Sequence, residues 1–115
     1  MSRHDTIGSH RTTIASDSGY VVVTYHSTQV VKFSPGAVIL NSGGYRTATT
    51  KLRINQTARQ FDLPYTLYAV SYMWYVDLVY AGAILSTKIP FSDNMMITRR
   101  ASDGYPTNIT IGLEI

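Results

Sequence analysis

The chain has 115 residues, of which 44% are hydrophobic and 15% are charged, which is typical of one folded domain with a modest core. Its formal net charge of +3 and its pI near 9.3 favour an anionic partner but fall short of a polybasic tail. The absence of cysteine excludes disulfides, thiolate metal sites and cysteine nucleophiles.

The N-terminal residues are polar and lack the apolar stretch of a signal peptide. We predict a flexible arm over residues 1–10 and a single domain over residues 11–115. The most apolar run, residues 65–85, is interrupted by Asp77 and Gly82 and alternates in hydrophobicity. We therefore interpret it as strands and predict no contact with a membrane.

Residues rich in β-branched and aromatic side chains favour strands in the first part of the domain. A short strand is predicted to begin within Arg11–Ala15. The run Tyr20–Phe33 is too long for one strand, so a turn or bulge is expected near His26–Thr28. Ser34–Gly36 predicts a tight turn, and Ala37–Leu40 then predicts a short strand.

The one good helix signal extends from about Thr47 to Phe61. Thr47 is a suitable N-cap residue, and the following Leu63-Pro64 pair stops a helix. An apolar stripe recurs at spacings of four, four and three residues, and it consists of Thr50, Ile54, Ala58 and Phe61.

The second half of the chain again favours strands. Tyr65–Val79 predicts one or two strands that turn near Ser71-Tyr72. We expect a hairpin around Ser92–Asn94, formed by Ile84–Phe91 and Met95–Thr98.

A polar loop, Arg99–Pro106, should lead to a last half-buried strand over Asn108–Ile115. The sequence thus predicts an α+β fold, with a single helix packed on a mainly antiparallel β-sheet.

Three motifs in the central part of the chain carry a family resemblance. The run V-V-K-F-S-P-G-A-V-I-L-N-S-G-G-Y-R-T-A-T-T-K-L-R-I-N-Q covers residues 30–56, and Q-F-D-L-P-Y and the W-Y-V of residues 74–76 follow it. These motifs resemble small uncharacterised proteins encoded by tailed bacteriophages, over roughly residues 24–78, with a departure after Asp77. The resemblance implies a phage origin, a product in the host cytoplasm and a β-β-α-β-β core with extra C-terminal strands. It implies no activity.

Two sequence patterns are candidates for a chemical site. Asn41–Gly44 precedes the helix and could bind phosphate through backbone amides, but it lacks the residues of a P-loop, so a plain turn is the favoured interpretation. His26 and Ser27, as neighbours on a strand, would point to opposite faces, which argues against a Ser–His pair. No metal-ligand spacing is present. We predict no enzyme activity, no catalytic residue, no metal and no cofactor.

The basic helix is the strongest functional feature of the sequence, because residues 41–61 hold four of the ten Lys and Arg residues and no acid. Cations can neutralise phosphates, and amide side chains can bond bases. The first hypothesis is a non-enzymatic protein that contacts nucleic acid or a nucleotide, and the alternative to any contact is a solvated helix face. The predicted contacts are Arg46, Lys51, Arg53, Asn55, Gln56 and Arg59.

The second hypothesis is a protein–protein interaction module, either an inhibitor of a host defence or replication protein or a small virion component. Aromatic patches concentrate interface energy. The predicted interface residues are Tyr68, Tyr72, Trp74 and Tyr80. The choice between DNA, RNA and a host protein, and the oligomeric state, stay open at this point.

Overall fold

The computed structural model describes residues 7–111 as one α-helix and nine β-strands in two antiparallel sheets. This architecture confirms the predicted α+β class with a single helix on a sheet. The elements in chain order are β1 (Thr12–Asp17), β2 (Tyr20–Tyr25), β3 (Thr28–Ser34), β4 (Ala37–Leu40), α1 (Ala48–Phe61), β5 (Tyr65–Val70), β6 (Met73–Tyr80), β7 (Ala83–Pro90), β8 (Met95–Arg99) and β9 (Pro106–Thr110).

The larger sheet has six strands in the order β1-β2-β3-β4-β8-β9, and every neighbouring pair is antiparallel. The predicted break after the first part of the run Tyr20–Phe33 is confirmed, because β2 and β3 are joined by a turn at His26-Ser27. The Pro35-Gly36 turn between β3 and β4 is also confirmed. Tight turns therefore make the first four strands a continuous meander.

The smaller sheet has three strands in the order β5-β6-β7. The predicted turn at Ser71-Tyr72 is confirmed, and both residues have positive φ, 50° and 67°. Ala81 and Gly82, in the turn from β6 to β7, have φ of 51° and 81°. Positive φ at both central residues suits the right-handed twist of a two-residue hairpin.

The predicted hairpin around Ser92–Asn94 is wrong, because β7 and β8 belong to different sheets. β7 pairs with β6, whereas β8 pairs with β4. The Asp93 side chain explains why the chain passes from the smaller sheet to the larger one between β7 and β8. Its Oδ1 accepts hydrogen bonds from the Ser42 N–H at 2.8 Å and from the Ser42 hydroxyl at 2.6 Å. The N–H of Asn94 also donates to the carbonyl of Leu40 at 2.8 Å. These bonds direct the chain to β4.

α1 begins and ends close to the predicted residues. The Thr47 hydroxyl caps the helix by accepting from the Thr50 N–H at 3.2 Å, and Asp62 ends it in the left-handed conformation. The predicted stripe faces the core, with Thr50, Ile54 and Ala58 buried. Phe61 is half-buried against Phe33, with ring centroids 4.9 Å apart.

α1 packs on β5 of the smaller sheet and on β2 and β3 of the larger one. One hydrophobic cluster includes residues of the helix and of both sheets. Its largest fully buried side chains are Tyr65, Leu40, Ile54, Leu67, Met95 and Ile97. The helix therefore joins the two sheets around a common core.

The two ends of the described chain differ from their predictions. The arm predicted for residues 1–10 lies partly outside the described residues, but Ile7 is buried and its N–H donates to Gln60 Oε1 at 2.9 Å. Ile7 therefore belongs to the folded domain. The last strand begins at Pro106, earlier than predicted, and Ile109 is partly buried on it. Its predicted continuation over residues 112–115 lies outside the described residues.

Candidate functional site

The backbone amides of Ser42–Tyr45, in the loop before α1, donate hydrogen bonds to groups within the protein. The N–H of Ser42 donates to Asp93, that of Gly43 donates to Asn41 Oδ1 at 3.0 Å, and that of Gly44 donates to Ser42 Oγ at 3.2 Å. The N–H of Tyr45 donates to the Ser42 carbonyl at 3.0 Å. Side chains and a carbonyl of the protein itself therefore accept the hydrogen bonds of these four amides. The favoured interpretation of this segment as a structural turn is supported by these bonds.

Two side chains predicted to contact nucleic acid point into the protein. Arg53 is only 8% exposed. Its Nε donates to the Thr12 hydroxyl at 3.0 Å and its Nη1 donates to Gln56 Oε1 at 3.1 Å. Gln56 is buried as well, and its Oε1 also accepts from the Gly8 N–H at 3.1 Å. Arg53 and Gln56 therefore fasten the start of β1 and the residues before it to the helix.

Asn55 joins α1 to β5. Its Nδ2 donates to the carbonyl of Leu67 at 2.7 Å, and its Oδ1 accepts from the N–H of Leu67 at 2.8 Å. The Asn55 side chain thereby hydrogen-bonds to both the N–H and the C=O of Leu67, as the backbone of a neighbouring strand would. Both polar ends of Asn55 are used inside the fold.

The other three predicted contacts lie at the surface. Arg46 is exposed, and its guanidinium carbon is 5.0 Å from the ring centroid of Phe91 and 5.8 Å from that of Trp74. Lys51 is half-buried on the helix and Arg59 is exposed. Arg46, in the loop before α1, and Lys51 and Arg59 on the helix thus lie at the surface, whereas the central polar residues of the helix hold the fold together.

The turn between β5 and β6 carries a group of exposed apolar side chains. Tyr72 is 99% exposed, Met73 is 60% exposed and Val70 is 44% exposed. Val70 and Met73 are opposite each other in the register. Arg46 lies against Trp74, which follows Met73 in β6 and faces the opposite side of the sheet, so this cation borders the turn on the face away from Val70 and Met73. We call Val70, Tyr72, Met73 and Arg46 the tip surface.

The four predicted interface residues are not brought together. Trp74 is buried against Phe91, with ring centroids 5.4 Å apart. Tyr80 lies at the far end of β6, where its hydroxyl donates to the carbonyl of Asp103 at 3.0 Å. Tyr68 is half-buried, and its hydroxyl donates to Asp77 at 2.8 Å. Burial first, and then the hydrogen bond to Asp77, raise the pKa of Tyr68.

Val70 and Met73 were missed by sequence reasoning, although the pattern of β6 contains a signal for Met73. Trp74, Val76 and Leu78 alternate along β6 and are buried. Met73 must then face the opposite side of the sheet. Val70 follows, because it is the cross-strand neighbour of Met73.

A cleft of about 360 Å³ lies beside the N-terminus of α1, next to the turn between β2 and β3. The predicted strand position of His26 and Ser27 is wrong, since both lie in that turn, so strand alternation does not separate their side chains. None of the nine described residues that line the cleft is acidic. The aromatic lining residues are Tyr25, His26 and Tyr45, and the hydroxyl-bearing ones include Ser27, Thr28, Thr47 and Thr50.

Within residues 7–111, no group of three or more His, Asp or Glu side chains could hold a metal ion. The single described helix is too short and too polar to cross a membrane.

Comparison with known proteins identifies the family. The family model of the Kyanoviridae Gp96 protein matches residues 1–98. The match continues past Asp77, where the resemblance was expected to end, and it reaches into β8. Neither the curated proteins nor the solved structures gave a match. Because the matched region covers most of the 115 residues, the chain belongs to the Kyanoviridae Gp96 family of phage proteins.

Proposed function

We propose that this phage protein is a non-enzymatic binding protein that acts in the host cytoplasm and recognises a partner protein through the tip surface. The observation that carries this proposal is Tyr72, which is 99% exposed and has a φ of 67°. An exposed tyrosine gains nothing from core packing, and a large side chain at positive φ is a rare and unfavourable choice.

The cost of this turn supports a role in binding. Asparagine and glycine are the residues that suit the two central positions of such a hairpin, but Ser71 and Tyr72 stand there. A conformation of this kind costs about 1–2 kcal/mol for an L-residue other than glycine. Strained backbone conformations cluster at functional sites, and tyrosine, methionine and arginine are enriched where proteins meet.

The chemistry of the tip surface defines the partner. Val70 and Met73 offer apolar area, while Arg46 offers a positive charge that is held over two aromatic rings. Residues 41–61, which include Arg46, contain no acid. The complementary surface is an apolar pocket with carboxylates at its rim. Tyr72 would fill the pocket and Arg46 would pair with the rim.

The nucleic-acid hypothesis receives less support from the geometry. Arg53, Asn55 and Gln56 make hydrogen bonds inside the fold. Of the six proposed contacts, only Arg46, Lys51 and Arg59 point outward. Binding that rests on phosphate neutralisation would therefore involve few charges.

Site-specific photo-cross-linking in infected cells tests the proposal. A benzophenone amino acid replaces Met73 in the tip surface, and a matched variant carries it at Ser102. Ser102 is exposed and belongs to the loop that Tyr80 contacts at the far end of β6, roughly 25 Å from the tip along an eight-residue strand. We expect a discrete protein adduct from position 73 and none from position 102.

Two further variants identify the chemistry of the contact. Tyr72→Ala should abolish the adduct, and Arg46→Glu should reduce its yield at least about tenfold by placing like charges together. Mass spectrometry should locate the attached partner residue beside an Asp or Glu. No adduct, equal yields at positions 73 and 102, or a nuclease-sensitive adduct would each overturn the proposal, and the last would favour nucleic acid as the partner.

A further inference from the structure

We infer that the cleft beside the N-terminus of α1 binds an uncharged heterocyclic ring of the nucleobase class. This site is separate from the proposed protein contact, because the cleft and the tip surface share no residue. At about 360 Å³ the cleft falls within the size range of small-molecule sites, toward its lower end.

The lining of the cleft favours a neutral ligand. Its described lining residues include no Lys, Arg, Asp or Glu. The Thr47 and Thr50 hydroxyls hydrogen-bond to each other at 3.0 Å. The hydroxyls of Ser27 and Thr28 can each donate and accept, so they can adapt to the edge of an uncharged ring. The positive end of the α1 dipole adds a preference for acceptor atoms such as ring nitrogens and carbonyl oxygens.

The loop that borders the cleft disfavours a phosphate. The amides of Ser42, Gly43 and Gly44 are bonded to side chains of the protein itself, and Ser42 already holds the carboxylate of Asp93. A phosphorylated ligand would have to compete with these bonds. The site should therefore select the ring and ignore a 5′-phosphate.

Aromatic side chains provide surfaces for a planar ligand. Tyr25 is fixed from two directions, since the His26 ring centroid lies 4.4 Å from its own and the Arg53 guanidinium carbon lies 5.6 Å from it. Tyr45 is 69% exposed at the border of the cleft and is free of core packing. Stacking on tyrosine tolerates any base, because every base has a π-face.

The shape of the cleft depends on Gly43. A Cβ atom at this position would collide with the Thr28 side chain, so the loop and the strand can approach closely only with glycine there. This close approach places Thr28 and Tyr45 on the same cleft. Sugars are a weaker match, because no carboxylate or amide side chain among the nine described lining residues is available to hold paired hydroxyls.

Isothermal titration calorimetry on the full chain tests this inference. The probes are adenosine, guanosine, cytidine and uridine, then their 5′-monophosphates, then glucose and maltose. We expect at least one nucleoside to bind with a dissociation constant below about 1 mM, as a small stacked ligand should. Its monophosphate should bind with an affinity within about threefold of that of the nucleoside, because the loop amides are occupied.

Two tyrosine variants provide the matched control. Tyr45→Ala should weaken nucleoside binding at least about tenfold, the effect of losing one stacking surface. Tyr72→Ala changes a tyrosine that is even more exposed, 99% against 69%, but lies outside the cleft, and it should leave the affinity unchanged. Absence of nucleoside binding, tighter binding of a sugar, a monophosphate preferred by about tenfold, or a Tyr45→Ala variant with normal affinity would each overturn the inference.

Discussion

At the scale of single residues, Tyr65 shows how a polar group stabilises the core. Its ring is buried and its hydroxyl donates to the carbonyl of Ile54 at 2.7 Å. Burial raises the pKa of Tyr65 well above the usual value for a phenol. The neutral phenol is therefore the form that the folded protein requires.

Removal of this hydroxyl should have a measurable effect at neutral and at high pH. Tyr65→Phe removes this second hydrogen bond to the Ile54 carbonyl, which keeps its helical partner, so we expect a loss of about 0.5–1.5 kcal/mol at pH 7 in urea unfolding. The stabilising effect of a raised pKa is complete below the pKa of the unfolded state and is lost as pH rises through the folded pKa. Wild type should therefore lose stability above about pH 10, and Tyr65→Phe should lose less. Equal losses in both proteins would contradict this account.

Gly43 and Gly44 show two different reasons why a position requires glycine, namely backbone conformation and lack of space for a side chain. Both have positive φ, 64° and 83°, a backbone conformation that favours glycine. A Cβ on Gly43 would also collide with Thr28, whereas a Cβ on Gly44 would meet open space. Gly44→Ala should cost about 1 kcal/mol from backbone strain alone.

The cost of Gly43→Ala should be larger, about 2–3 kcal/mol, since overpacking is added to the strain. Urea denaturation of the two variants, measured side by side, provides the check. A cost for Gly44→Ala that equals or exceeds that of Gly43→Ala would show that the contact with Thr28 does not limit this loop.

At the scale of elements, α1 is attached to β5 by Asn55 and to the start of β1 by Arg53. These attachments explain why a helix with a thin apolar stripe can join two sheets. Its polar side chains complete backbone groups at the edge of the smaller sheet, which would otherwise be left unpaired.

Lys51, Asn55 and Arg59 form a polar row along one flank of α1. This row should divide into structural and surface residues. Asn55→Ala removes both bonds to Leu67 and should cost about 2–3 kcal/mol. Lys51→Ala, one turn earlier on the same flank, should change the free energy of unfolding by less than about 0.5 kcal/mol. Chemical denaturation of both variants measures this contrast. Similar effects of the two substitutions would mean that the row has one role throughout.

Periodicity and turn residues predicted the elements well but not their partition into sheets. β3, β4, β5, β6 and α1 have local signals, namely β-branched runs, Pro-Gly and an N-cap threonine. The pairing of β8 with β4 depends on Asp93 bonding to Ser42, which is 51 residues away in sequence. No local pattern contains that information, so a short polar segment was interpreted as a hairpin turn.

At the scale of the whole molecule, different parts of the protein provide stability and the proposed recognition. The central polar face of α1 holds the two sheets and the N-terminal residues together, and the tip surface projects apolar side chains outward. The sequence indicated a basic helix but could not show that Arg53 and Gln56 are internal. Their partners, Thr12 and Gly8, lie 41 and 48 residues away. The position of Tyr72 in a turn was, by contrast, readable from the sequence.

The central claim is that Tyr72 occupies a strained turn position because its side chain binds a partner protein. Tyr72→Gly relieves the positive φ, so the free energy of unfolding should rise by about 0.5–1 kcal/mol after the entropy cost of glycine is subtracted. Stability gained at a contact site commonly comes with a loss of function.

The most direct measurement combines the unfolding free energy of Tyr72→Gly with its yield of photo-adduct from position 73 in infected cells. We predict a protein that is more stable than wild type and forms no adduct with its partner. A Tyr72→Gly protein that is less stable than wild type, or one that still forms the adduct in normal yield, would contradict the account.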